Sequence, residues 1–213
     1  MNIFRQLGDL LHLVSILIIL FKIRKTKSCA GVSLKSQELY LIVFATRYLD
    51  LLWNFSSLYL SVMKIFYLAS SIAIVYLMTT TYKFTYDKEH DTFRIVFLLA
   101  PCLALALLIN DAFEFAEILW TFSIYLEAVA ILPQLFLLQR TGEVENLTSD
   151  YIFALGAYRT MYLFNWIYRY FTEPGYSNWI VWIAGLVQTG LYCDFFYYYV
   201  VSKYYGKKMT LPS

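Results

Sequence analysis

Seven stretches of this chain are apolar enough and long enough to cross a lipid bilayer, and that feature most constrains what it can fold into. They fall at about residues 3–22, 36–54, 61–82, 93–110, 115–138, 149–169 and 179–202. A spanning helix needs about 20 predominantly apolar residues, so seven of them use about 140 and leave about 70 for all connections and both ends. No extramembrane domain fits, and residues 1–213 read as a single all-α membrane domain. Composition agrees: 60% of residues are hydrophobic and only 15% charged, against roughly half and a quarter in soluble domains.

Several functional classes drop out. A net charge of +2, scattered along the chain, makes no nucleic-acid surface. Cys29, Cys102 and Cys193 are an odd set beside apolar segments, which reads as packing. Two histidines cannot build a multi-histidine metal site, and GxxxxGK[ST], GxSxG, HExxH and CxxC are all absent. No metal, cofactor or catalytic machinery is expected. The opening MNIFRQLGDLLHLVSILIILFKIRKTK has one early arginine and no small-residue cleavage site, so it reads as a retained helix rather than a signal peptide.

Charge gives the orientation. Lys22, Arg24, Lys25, Lys27 and Lys35 crowd the first connection; Lys83, Lys88, Arg94, Arg140, Lys203, Lys207 and Lys208 lie in the third, the fifth and the C-terminal tail. All share one side, which the positive-inside rule makes the cytosol, so the N-terminus is expected on the lumenal or extracellular side and the C-terminus in the cytosol. Asp111, Glu114 and Glu173 fall in or beside the opposite loops. The sequons Asn54-Phe55-Ser56 and Asn146-Leu147-Thr148 are expected to be silent, one abutting a helix end and the other cytosolic.

An internal repeat organises the spans. Aligning Arg47 with Arg159 brings Ser36 onto Thr148, Asp50 onto Tyr162 and Asn54 onto Trp166, with Gly31 within one residue of Gly142. Helices 1–3 then match helices 5–7 in the same direction, with helix 4 as a linker, a parallel repeat of the SWEET transporter type. The expected divisions are repeat one at 1–82, linker helix 93–110, repeat two at 115–202 and a cytosolic tail at 203–213. Pro133-Gln134 near the end of helix 5 resembles the PQ-loop motif, although proline in a membrane helix is often only a tolerated kink.

Ionisable residues inside the spans carry the functional signal, because each costs about 2.5–3.5 kcal/mol at a helix centre and rarely faces lipid. Helix 1 has Arg5, Asp9 and His12 on one face; helix 2 has Arg47, Asp50 and Asn54; helix 5 has Glu117, Trp120, Ile124 and Glu127. Helix 6 sets Arg159, Tyr162, Trp166 and Arg169 in one stripe bordered by Tyr158 and Asn165, and helix 7 adds Asp194. A structural ion-pair network is one reading. The other is a lumenal pocket with four arginines facing Asp50, Glu117 and Glu127. Arginines match carboxylates bidentately, and Glu117 beside Trp120 and Trp166 suits one cation. A short acidic peptide ending in a free carboxylate, with a basic residue upstream, has that pattern.

The stretches MNIFRQLGDLLHL, TRYLDLLW, ILWTFSIYLEAVAILPQLF, YRTMYLFNWIYR, LYCDFFYYYV and GKKMTLPS resemble the KDEL receptors, which retrieve escaped endoplasmic-reticulum lumenal proteins from the Golgi, and the resemblance covers nearly the whole chain. It implies binding of C-terminal Lys-Asp-Glu-Leu or His-Asp-Glu-Leu tails by Arg5, Arg47, Asp50, Glu117, Trp120, Arg159, Tyr162, Trp166 and Arg169. Arg47 would hold the terminal carboxylate, Arg5 and Arg169 the two acidic side chains, and Glu117 with Trp166 would face the residue fourth from the end. By the same resemblance His12 senses pH, with protons as effector and no other cofactor. The resemblance further implies that Tyr158 and Glu127 form a hydrogen bond locking the loaded state, and that Lys203, Lys207 and Lys208 bind the COPI coat. An unperturbed imidazole titrates between a neutral lumen and an acidic Golgi.

The chain departs from the family pattern at Tyr204-Tyr205, where an additional basic residue is frequent, at Thr210, which replaces a serine, and in EPGYSN, which lacks an acidic residue near its end. The competing reading is a proton-coupled small-molecule transporter of the SWEET or PQ-loop type. It would need a cytosolic exit path, yet that half is mostly Leu, Ile, Val, Phe and Tyr, with Asp194 as its obvious charge. An intramembrane protease would need a second catalytic aspartate in a GxGD-like setting, which the sequence lacks.

Overall fold

All seven expected helices are present in a computed structural model, which describes residues 2–52 and 57–211. They are α1 (Ile3–Thr26), α2 (Leu34–Arg47), α3 (Leu58–Tyr76), α4 (Val96–Leu108), α5 (Phe115–Val129) with α6 (Leu132–Thr141), α7 (Asn146–Thr172) and α8 (Trp179–Tyr205). Among the described residues, four helical segments of 18 residues or more are apolar enough to cross a membrane: Ile3–Thr26, Leu58–Thr81, Phe115–Thr141 and Trp179–Tyr205. Asn54, expected on the helix-two stripe and in the first sequon, lies outside the described residues.

The differences from expectation have local causes. The fifth span, expected as one helix, breaks between Val129 and Leu132 because Pro133 offers no N–H and its ring crowds the carbonyl of residue 129. The second span ends its α-helix at Arg47 and tightens into a 3-10 turn over Leu49–Leu52, which carries Asp50. The starts of α1, α2, α3 and α8 are capped by side-chain oxygens: Asn2 accepts from Arg5 N, Ser33 from Ser36 N, Ser57 from Leu60 N and Asn178 from Val181 N. Gly206, at φ 62°, takes the left-handed conformation that ends α8.

Beyond Gly206 the chain forms β2 (Met209–Thr210), which pairs antiparallel with β1 (Glu143–Val144), and Leu211 N donates to Gly142 O at 3.1 Å. Met209, Leu211 and Val144 are buried, whereas Lys203, Lys207 and Lys208 are exposed. The segment after α8 is therefore docked on the turn before α7.

The chain divides into two compact units, Met1–Gly31 with Leu137–Ser213, and Val32–Phe136. In the first, α1 packs along α7 and α7 against α8; in the second, α2 packs on α5 and α3, and α4 on α5. The first unit thus holds α1, α7 and α8, and the second α2 to α5. Under the repeat expected from the sequence, α1 with α7 would answer to α5 with α2, and α7 with α8 to α2 with α3.

One polar contact recurs at the same spacing as Arg47 to Arg159. In the second unit Gln134 Oε1 accepts from Ser33 N at 2.8 Å, and Gln134 N donates to Ser36 Oγ at 3.0 Å. Their counterparts in the first unit are Lys22 and Glu145, joined Nζ to Oε2 at 3.3 Å, with Lys22 also donating to Ala30 O. Lys22 is 1% exposed. Under the expected repeat, Gln134 and the buried Lys22 would occupy equivalent places.

Candidate functional site

In the second unit the site is built around Arg47, the last residue of α2. Its Nη1 pairs with Glu127 of α5, its Nε donates to Ser123 Oγ at 3.0 Å and its Nη2 to Ser123 O at 3.0 Å. Ser123 Oγ in turn donates to Trp120 O at 2.6 Å, so one turn of α5 fixes the guanidinium plane. Glu127 is 1% exposed. A buried carboxylate needs such a partner, because an isolated charge there would lose several kcal/mol of hydration.

Asp50 is held by an ion pair with Lys64 of α3, whose ammonium also lies 5.9 Å from the Tyr48 ring centroid. Sequence reasoning passed over Lys64, although a lone lysine in an apolar span deserved the treatment given to the arginines. Glu117 lies in the first turn of α5, where the helix dipole favours an anion, and accepts from Thr121 Oγ1 at 3.1 Å.

In the first unit α1 and α7 supply the residues. The His12 and Tyr158 rings stack with centroids 4.2 Å apart and planes 9° from parallel. The Arg159 guanidinium carbon lies 5.1 Å from the Tyr158 ring centroid, within cation–π range. Tyr162 OH donates to Asp9, and Asn2 Nδ2 donates to Asn165 Oδ1 at 2.8 Å. Asp9, His12, Arg159, Asn165 and Trp166 are all buried. Arg5 Nε is buried without a hydrogen-bond partner among the described residues.

Close backbone approach sets two of these side chains. A Cβ added at Gly185 of α8 would lie 2.4 Å from Trp166 Cζ3, and one at Gly8 of α1 would lie 2.8 Å from Tyr162 Cδ2. Only glycine lets α8 and α1 come that near. Trp166 and Tyr162 are therefore seated by residues that carry no chemistry and gave no signal in the sequence.

Arg169, near the end of α7, is engaged by Glu173 and lies over Tyr176. Lys203 pairs with Asp150 at 2.9 Å, and Tyr199 OH donates to the same carboxylate at 2.8 Å. Asp194 is exposed on α8. Among the described residues no group of three or more His, Cys, Asp or Glu is placed to hold a metal ion.

Comparison with known proteins decides the family. Residues 28–169 match the family model described as ER lumen protein retaining receptor. Over its whole length the chain is 60% identical to the ER lumen protein-retaining receptor of Petunia hybrida, 61% to receptor B of Arabidopsis thaliana and 60% to the receptor of Drosophila melanogaster, each also covered completely. The chain belongs to the ER lumen protein-retaining receptor family. Within that family the two clusters, one around Arg47 and Glu127 and one around His12, Tyr158 and Arg159, become the natural candidates for receptor chemistry.

Proposed function

We propose that this chain is a retrieval receptor of the Golgi and endoplasmic-reticulum membranes that captures lumenal proteins by C-terminal Lys-Asp-Glu-Leu or His-Asp-Glu-Leu tails. Capture takes place at acidic pH and release at neutral pH. The observation that carries the reading is identity of about three residues in five, end to end, with proteins named as ER lumen retention receptors. The proposed recognition residues are Arg5, Arg47, Asp50, Glu117, Trp120, Arg159, Tyr162, Trp166 and Arg169, with His12, Tyr158 and Glu127 governing the response to pH.

Two features support these roles. Arg5 keeps a buried, unpartnered Nε, and such a donor is costly unless a ligand acceptor completes it. Arg47 is pre-oriented by Ser123, so little side-chain entropy is lost when a carboxylate binds. The N-terminus is lumenal and the C-terminus cytosolic in this reading, and Lys203, Lys207 and Lys208 recruit the COPI coat.

The test is peptide binding to purified receptor across pH, comparing the free-acid tail with its C-terminal amide. Amidation removes the charge that pairs with arginine, so the amide is expected to bind at least about tenfold more weakly. Equal affinity of the two forms would overturn the reading.

A further inference from the structure

The turn from α7 to α8 carries a carboxylate that the recognition residues named above do not include. Glu173 follows the last residue of α7, one helical turn beyond Arg169. Its Oε2 accepts from Arg169 Nε at 2.8 Å and lies 2.7 Å from Nη2. The guanidinium carbon of Arg169 lies 3.9 Å from the Tyr176 ring centroid. Glu173 and Tyr176 line an open depression of about 560 Å³ between Tyr170 and Trp179.

Helix stability does not account for this carboxylate. An acidic residue at a helix C-terminus opposes the macrodipole, and the order Arg then Glu at i, i+4 is the less favourable one. What the pair does achieve is electrostatic: Nε and Nη2 of Arg169 already face an internal anion. Orientation of the guanidinium does not depend on Glu173 alone, because the Tyr176 ring also holds it.

We infer that Glu173 is an internal competitor for acidic ligands at Arg169, tempering the grip on cargo so that it can be released. This rests on the ligand role proposed for Arg169. A ligand carboxylate either displaces Glu173 from the Nε edge or takes the outer edge beside it. In the first case the existing pair is lost, and in the second two like charges stand side by side. Both weaken binding relative to a bare arginine.

The effect is a constant brake and not a pH switch. The hydrogen bond from Arg169 holds the Glu173 carboxyl below the usual carboxylate range, so it stays ionised in a mildly acidic lumen as in a neutral one. The side chain is half exposed, and replacing it by its amide leaves the packing of α7 and α8 intact.

The test uses full-length receptor, wild type, Glu173→Gln and Arg169→Gln, with a Lys-Asp-Glu-Leu peptide and two derivatives, each replacing one acidic side chain by its amide. Exposed pairs of this kind correspond to about a two- to fivefold change in affinity. Glu173→Gln is expected to bind the parent peptide tighter by that factor at both neutral and mildly acidic pH. It should also slow release, and lose its advantage for one of the two amide peptides. Weaker or unchanged binding by Glu173→Gln, while Arg169→Gln still weakens it, would make Glu173 a positioning residue or a bystander and overturn the inference. If Arg169→Gln binds as wild type, the ligand role of Arg169 fails, and the inference with it.

Discussion

His12 of α1 and Tyr158 of α7 lie ring on ring, 4.2 Å apart and within 9° of parallel, in a buried layer between their helices. Arg159 faces the same tyrosine ring, and Asp9 lies one turn earlier on α1, bonded by Tyr162. Arg159 and Asp9 are thus charged groups bordering the layer that holds the imidazole. A bound anionic tail adds negative charge and favours the imidazolium, and by linkage the imidazolium favours the tail. Binding is expected to tighten as pH falls and the pH dependence to flatten in His12→Ala. Tyr158→Phe keeps the stack and removes the hydroxyl, so a pH series on both variants separates ring from hydroxyl. Full pH dependence in His12→Ala would place the sensor elsewhere.

Arg47 and Glu127 make the stability of the receptor and its binding hard to separate by single substitutions. Arg47→Ala removes the proposed carboxylate partner and also leaves Glu127 buried without its ion pair, a loss of about 3–5 kcal/mol. The variant is expected to show a clearly lowered Tm together with abolished tail binding. Adding Glu127→Gln should restore much of the Tm and none of the binding. Arg47→Lys should rescue binding only in part, because a point charge lacks the guanidinium fork that Ser123 holds. Recovery of binding in the Arg47→Ala, Glu127→Gln protein would remove Arg47 from the recognition set.

Hydropathy made all seven helices legible because each lies within a long apolar run, and the stripes of charge singled out His12, Arg47, Glu127 and Arg159 because lipid tolerates so few such residues. The break before Pro133 was not placed, since membrane helices accommodate proline. Lys22 counted as one more cytosolic charge: a sequence gives the sign of a side chain and not its direction, and this one turns inward to Glu145. Docking of the tail was invisible because a two-residue strand is too short to carry a period. The seating of Trp166 by Gly185 was equally silent, as close approach is a property of two helices together.

The Lys22–Glu145 pair predicts an asymmetry. Only 2% of the Lys22 side chain is exposed, against 48% for Glu145. Glu145→Ala strands a buried cation on the Ala30 carbonyl, its other partner among the described residues, whereas Lys22→Met leaves a carboxylate that water can reach. The first substitution is expected to cost several times more stability than the second, approaching about 3–5 kcal/mol against about 1. Thermal denaturation of the two variants in one detergent gives the comparison. Equal losses would mean that packing of the lysine stem, and not its charge, holds this corner together.

The docked tail makes a final prediction about traffic. Lys207 and Lys208 stand between Gly206 and β2, exposed but anchored by buried Met209 and Leu211 on either side of Thr210, while Lys203 is engaged by Asp150. Replacing Lys203, Lys207 and Lys208 by serine should leave peptide affinity unchanged, since none belongs to the recognition set, and should trap the receptor in the Golgi by removing the proposed coat contacts. Met209→Asp keeps every lysine and puts a charge where the strand is 1% exposed, which should undock the tail. If docking restrains the lysines, this variant will bind coat protein more strongly than wild type in a pull-down without cargo. Unchanged coat binding would mean that Lys207 and Lys208 are readable while β2 is paired, leaving the hold of Asp150 on Lys203 as the contact to break.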